Sequence, residues 1–237
     1  MVPIAALATL LGGWLVVRFL SGHASLMRHV SGAAAGYLVS VTLVRILPEA
    51  MEHGGESAML WALGGFLLVH IIEHGISTHF HYGEEVHVHA GSRLTGVLAL
   101  VGLALHSCMD GMALTAAMRV RAELGVLVFV GILLHRIPEG GTISSIFLVH
   151  GFGSTRALAA AGLLAAAAMA GALGQEYLKI PLGPVLGLAG GLGLYVASSD
   201  LLPQAQKEKG WKSSLSLGLG VLLFLVSSHL APHHHGN

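Results

Sequence analysis

Apolar stretches of about twenty residues, the length that crosses a hydrocarbon core as an α-helix, recur from one end of the chain to the other. They fall at about 2–20, 31–50, 59–79, 94–118, 124–150, 155–174, 184–205 and 213–230. In lipid the backbone of such a stretch must bond within itself, and a helix does so. The expected fold is therefore all-α, a polytopic protein with eight transmembrane helices in one domain over residues 1–237 and no soluble domain. Composition agrees, since 10% of residues are charged against about 25% in an average soluble domain. The first stretch has neither a basic n-region nor a cleavage site, so it reads as a retained helix and not as a signal peptide.

Lys and Arg counted by connection set the orientation. With the N-terminus outside, one side carries Arg18, Arg28, Arg93, Arg156, Lys207, Lys209 and Lys212, and the other carries Arg119, Arg121 and Lys179. That bias places both termini outside. Arg45 and Arg136 fall within apolar stretches, where a charge needs a partner or water. The zero formal net charge says nothing about nucleic acid, and no basic patch suggests it, so no nucleic acid is expected; the partner of so apolar a chain is the lipid bilayer. Cys108 is the single cysteine, which excludes an internal disulfide framework and a thiolate cluster.

Two of the apolar stretches carry the same device. The fourth contains His106-Ser-Cys-Met-Asp110-Gly and the fifth His135-Arg-Ile-Pro-Glu139-Gly. Residues i and i+4 stack on one helix face, so each segment presents an imidazole and a carboxylate to one point. Ionisable groups at membrane depth are costly and mark function. The four could hold one divalent metal, and Cys108, two residues past His106, lies off their face. Pro138 removes one backbone donor beside the second pair and leaves the Leu134 carbonyl without its usual partner. Two imidazoles with one or two carboxylates suit Zn, Fe, Mn or Co and argue against a strongly soft ion. Because these ligands must shed protons before they bind, metal binding measured against pH is expected to fall when pH drops well below about 6.

An internal repeat organises the chain. Shifting the second stretch by 155 residues lays Gly32–Ala50 on Gly187–Ala205, with Gly32, Ala34, Gly36, Val41, Leu47, Pro48 and Ala50 identical. Four stretches lie between the two copies, so they run in opposite senses, the inverted-repeat pattern of many secondary transporters. Helices 1–3 and 6–8 are then related around helices 4 and 5. Arg45 and Asp200 fall at equivalent places with opposite charge, which predicts a buried ion pair.

The chain resembles the ZIP family of divalent metal transporters over all eight stretches. The resemblance rests on His106 to Gly111, on His135 to Glu139, on the Leu47-Pro-Glu-Ala50 close of the second helix, and on Leu194 to Pro203 in the seventh. It implies passage of zinc, iron, manganese or a similar ion toward the cytosol, a homodimer, and relative movement of two helix bundles. The expected setting is an integral, multi-pass protein of a bacterial inner membrane, with the metal as substrate and no organic cofactor. The metal ligands carried over are His106, Asp110, His135 and Glu139. Three departures bear on the number of ions: Ser107 replaces Asn, Arg136 replaces an acidic residue, and Ala168 replaces a Glu. A guanidinium cannot ligate a cation but can stand where a second one would be, so one metal is expected. Arg136 is placed to pair with Glu139 or with Asp110. A second-helix ligand of some relatives aligns near Tyr37, an indifferent ligand.

Other histidines admit both readings. His79, His81, His87 and His89 flank Glu84 and Glu85 in the third connection, as a low-affinity collector of ions or a solvated linker. Glu49, Glu52, His53 and Glu56 gather at the opposite face, and His233 to His235 close the chain as a tail. His70-Ile-Ile-Glu73-His74 copies the order of one metalloprotease group, so a membrane-embedded zinc metalloprotease using His70, Glu73 and His74 is the alternative function. It would also need a third ligand and a cleft open to water.

Overall fold

The computed structural model describes residues 1–19, 24–72, 93–207 and 210–230, and these contain helices and no strand. The helices are α1 (Val2–Phe19), α2 (Ala24–Val41), α3 (Leu47–Gly54), α4 (Ser57–Ile71), α5 (Arg93–Val120), α6 (Ala122–Val149), α7 (Ser154–Leu178), α8 (Leu182–Tyr195), α9 (Leu202–Gln206) and α10 (Lys212–Leu230). Two π-helical turns, Thr42–Ile46 and Val196–Leu201, join α2 to α3 and α8 to α9. Seven spans among the described residues are long and apolar enough to cross a membrane, with α2–α3 and α8–α9 each acting as one. The third predicted stretch corresponds to α4, which is apolar over its 15 described residues.

Both π turns have the same local cause. Each stands directly before a Leu-Pro pair, Leu47-Pro48 and Leu202-Pro203. Proline lacks an N–H and crowds the carbonyl four residues back, which a widened turn relieves. The Leu47 N–H accordingly reaches the Thr42 carbonyl, and the Leu202 N–H reaches that of Ala197. By contrast α6 runs on as an α-helix through Pro138.

Glycine decides which helices touch. On α1 and α6, a Cβ at Gly12 would strike the Ile137 carbonyl and one at Gly140 that of Thr9. Gly111 and Gly171 make the same reciprocal contact between α5 and α7, against the Ala168 and Cys108 carbonyls. Gly36 and Gly220 do so between α2 and α10, and Gly65 and Gly191 between α4 and α8. In lipid the driving force for helix association is close packing, and small residues allow it. One group thus comprises α1, α5, α6 and α7, and another α2, α4, α8 and α10, with α6 and α5 lying against α2 and α8 at the seam.

The apolar core follows this division. Leu103, Ile143, Phe147, Ala160 and Leu164 fill the first group, while Tyr37, Val41, Leu127, Leu186, Val196 and Phe224 occupy the seam and the second. Leucines on α4 and α10 that face outward, such as Leu60, Leu63, Leu222 and Leu225, are exposed, as suits helices surrounded by acyl chains.

Candidate metal site

Helices α5 and α6 bring the two sequence motifs face to face. His106 and Asp110 project from α5 one turn apart, with Nε2 of His106 3.4 Å from Oδ2 of Asp110. From α6, Nε2 of His135 lies 2.9 Å from the same oxygen. The rings of His106 and His135 are 5.7 Å apart. One ligand atom each from His106, His135 and Glu139 lies within 4.8 Å of the others, and all three residues are buried. The four sequence-selected residues therefore converge from two helices.

Second contacts orient the imidazoles. Nδ1 of His135 sits 2.9 Å from the Gly131 carbonyl, one turn back on α6. A carbonyl only accepts, so Nδ1 carries a proton. Nε2 faces Oδ2 of Asp110, also an acceptor, and is the nitrogen left to take a cation in place of a proton. Histidine ligands of metals are commonly held by such a backbone bond at the other nitrogen. Nδ1 of His106 is buried and has no hydrogen-bond partner among the described residues.

Arg136 completes the site and is 1% exposed. One of its terminal nitrogens donates to Glu139 Oε2 at 2.8 Å and to Ser107 Oγ at 2.6 Å. The other lies 3.1 Å from Asp110 Oδ2 and donates to the Ser107 carbonyl at 3.2 Å. Ser107 in turn donates to Glu139 Oε1 at 2.8 Å. The guanidinium thus reaches both carboxylates named in the sequence reading. The sequence marks Ser107 only as a replacement for Asn, and the signal for its role is its place beside His106. Ala168 is buried on α7 behind α5, its carbonyl against Gly111.

A cavity opens beside this cluster. His106, His135 and Glu139 border it on one side, and Val196, Asp200 and Leu201 of the second π turn border it on the other. Asp200, selected from sequence as a partner for Arg45, is thus placed next to the site. Arg45 itself donates to Ser228 Oγ at 2.6 Å and lies 3.7 Å from Glu123. Tyr37 is fully buried, and its hydroxyl donates to the Leu127 carbonyl at 3.1 Å and meets Ser227. That geometry makes Tyr37 a strut between α2, α6 and α10.

The remaining sequence candidates separate. Glu49 lies within α3, buried and ion-paired with Arg121, while His53 stands 3.0 Å from the Glu49 carbonyl. Glu52 and Glu56 are exposed. His70 is exposed near the end of α4 with its ring 6.0 Å from that of Tyr195. Glu73, His74, the four histidines and two glutamates of the third connection, and His233 to His235 lie outside the described residues.

No curated protein matches the chain. A family model described as ZIP zinc transporter matches residues 82–228, more than half of the 237 residues, and this match includes all four converging side chains.

Proposed function

The chain belongs to the ZIP zinc transporter family and so is a divalent metal transporter, and from that premise we propose that zinc, or an iron- or manganese-like ion, passes toward the cytosol through a mononuclear site. His106, Asp110, His135 and Glu139 are its ligands, and Arg136 stands in the place of a second metal. The observation that carries this reading is the buried convergence of His106, His135 and Glu139 from two helices, with Asp110 against both rings. Apposed neutral imidazoles and carboxylates select a divalent cation over a monovalent one through charge and donor type together. Membership of a family of transporters leaves the protease reading of His70, Glu73 and His74 without support.

The architecture we propose has eight spans, with α4 as the third, in one domain over residues 1–237, with both termini outside. Helices 1–3 and 6–8 form an inverted repeat around α5 and α6. Three observations support it: two π turns at equivalent Leu-Pro pairs, Gly36 and Gly191 at equivalent places in their helix contacts, and the matching of α1–α6 by α7–α5 and of α2–α10 by α8–α4. Family likeness supports a homodimer and relative movement of the two helix groups.

Uptake of radioactive zinc into proteoliposomes, challenged with iron, manganese and cobalt, tests the reading. Equal uptake into protein-free vesicles would end it. The number of ions is tested on purified protein by metal analysis after equilibrium dialysis. Wild type is expected to retain one zinc and Arg136→Glu, which restores an acidic ligand between Ser107 and Glu139, two. Two ions in wild type, or one in the variant, counts against the role given to Arg136.

A further inference from the structure

Resting on the transport reading above, we propose that Arg136 is the internal counter-cation of the empty carrier: its guanidinium takes the metal ion's place on Asp110 and Glu139, so that the unloaded site can cross between its two open states. A carrier with alternating access makes two crossings per cycle, one loaded and one empty. The empty crossing is the harder one for this site, because two carboxylates must stay buried with no substrate between them.

Arg136 is built for that step. It is anchored on α6, one turn from Glu139, and reaches α5 through Asp110 and Ser107, so it travels with the ligands wherever α5 and α6 go together. Its hydrogen bonds fall on Oδ2 of Asp110, the oxygen that both imidazoles face, and on Oε2 of Glu139. Ser107 offers the guanidinium two further acceptors, its Oγ and its carbonyl. The guanidinium can therefore yield carboxylate oxygens to an arriving ion without leaving the site.

Charge makes the same point. Counting the carboxylates and the guanidinium alone, the empty site carries one negative charge, and a divalent ion turns this into one positive charge. Both crossings then move a single unit. Without Arg136 the empty site carries two negative charges, and its crossing becomes the slow half of the cycle while the loaded crossing becomes easier.

Net and exchange transport separate these halves, since exchange needs no empty crossing. The full chain is reconstituted into vesicles, and entry of radioactive zinc is measured with the lumen either zinc-free or loaded with unlabelled zinc. In wild type the two rates are expected to agree within about threefold. In Arg136→Gln the ratio of net entry to exchange is expected to fall at least about tenfold below that of wild type, whatever the variant does to exchange itself. Arg136→Lys, which keeps the charge but not the fork, should recover part of the net rate.

An unchanged ratio in Arg136→Gln, including parallel loss of net entry and exchange with the protein still folded, overturns the proposal. If Arg136→Gln does not assemble, wild type and Arg136→Lys decide. A wild-type exchange rate more than about tenfold above net entry means the empty crossing is slow despite the guanidinium, which also overturns it. Wild type that moves zinc in neither mode defeats the transport reading itself, a result distinct from all of these.

Discussion

Alanine in place of His106, Asp110 or Glu139 is expected to lower zinc uptake by more than about 100-fold, the upper end of what loss of a merely supporting neighbour does, with the protein still in the membrane. Each substitution removes one donor from the proposed set of four, and a site that must also release its ion has no surplus affinity. The three variants should differ in how they fail. His106→Ala leaves every bond of Arg136 in place, because His106 contacts Asp110 and not the guanidinium. Its fold is expected to be near normal. Asp110→Ala takes from His135 and Arg136 a shared oxygen, and Glu139→Ala frees both Ser107 and Arg136. Removing one partner of a buried ion pair costs about 3–5 kcal/mol, so these two should also unfold earlier in a detergent melt. Cys108→Ala, off the ligand face, is the control and should transport normally. Full uptake in any of the three ligand variants, at wild-type membrane levels, would falsify the ligand assignment.

The site was largely legible because its chemistry is local in sequence. A histidine and a carboxylate four residues apart need only an α-helix to share a face, and 28-residue helices supply it on both sides. The placing of α5 against α6 was not legible, since nothing in either motif encodes which helix lies opposite. Arg136 shows the same limit: its i+3 partner Glu139 could be read directly, whereas the choice between Glu139 and Asp110 dissolved once the fork was seen to reach both. The spans were legible from apolar length, but the π turns were not. A Leu-Pro pair signals only that a backbone bond is lost, and whether the helix kinks, ends or widens depends on what packs around it. Arg45 and Asp200 were matched as equivalent members of a repeat, yet equivalence in an inverted pair puts residues at opposite ends of the fold as readily as beside each other. Arg45 meets Glu123 and Ser228, while Asp200 borders the cavity beside His106, His135 and Glu139.

Gly171→Leu is expected to prevent assembly of the folded protein, while Gly174→Leu, three residues along α7, is expected to leave it intact. A Cβ at Gly171 would lie on the Cys108 carbonyl of α5, whereas one at Gly174 meets nothing within 4 Å. Both substitutions raise helix propensity by up to about 1 kcal/mol, so propensity cannot distinguish them and packing must. Overfilling an ordinary core costs about 1–3 kcal/mol because side chains adjust. Here the obstacle is backbone, and relief requires α7 to move away from α5 along the whole contact that Gly111 makes in reverse against Ala168. Moving α5 carries His106 and Asp110 with it, while His135 and Glu139 stay with α6, which Gly12 and Gly140 hold to α1. Metal ligation tolerates displacements of only about 0.2 Å, so any Gly171→Leu protein that does insert should bind zinc far more weakly than wild type. Size-exclusion profiles, thermal melts and zinc affinity of the two variants side by side measure this. Equal behaviour of the pair would mean that α5 and α7 do not touch through these glycines, and the seat of His106 and Asp110 would have to be rebuilt on different contacts.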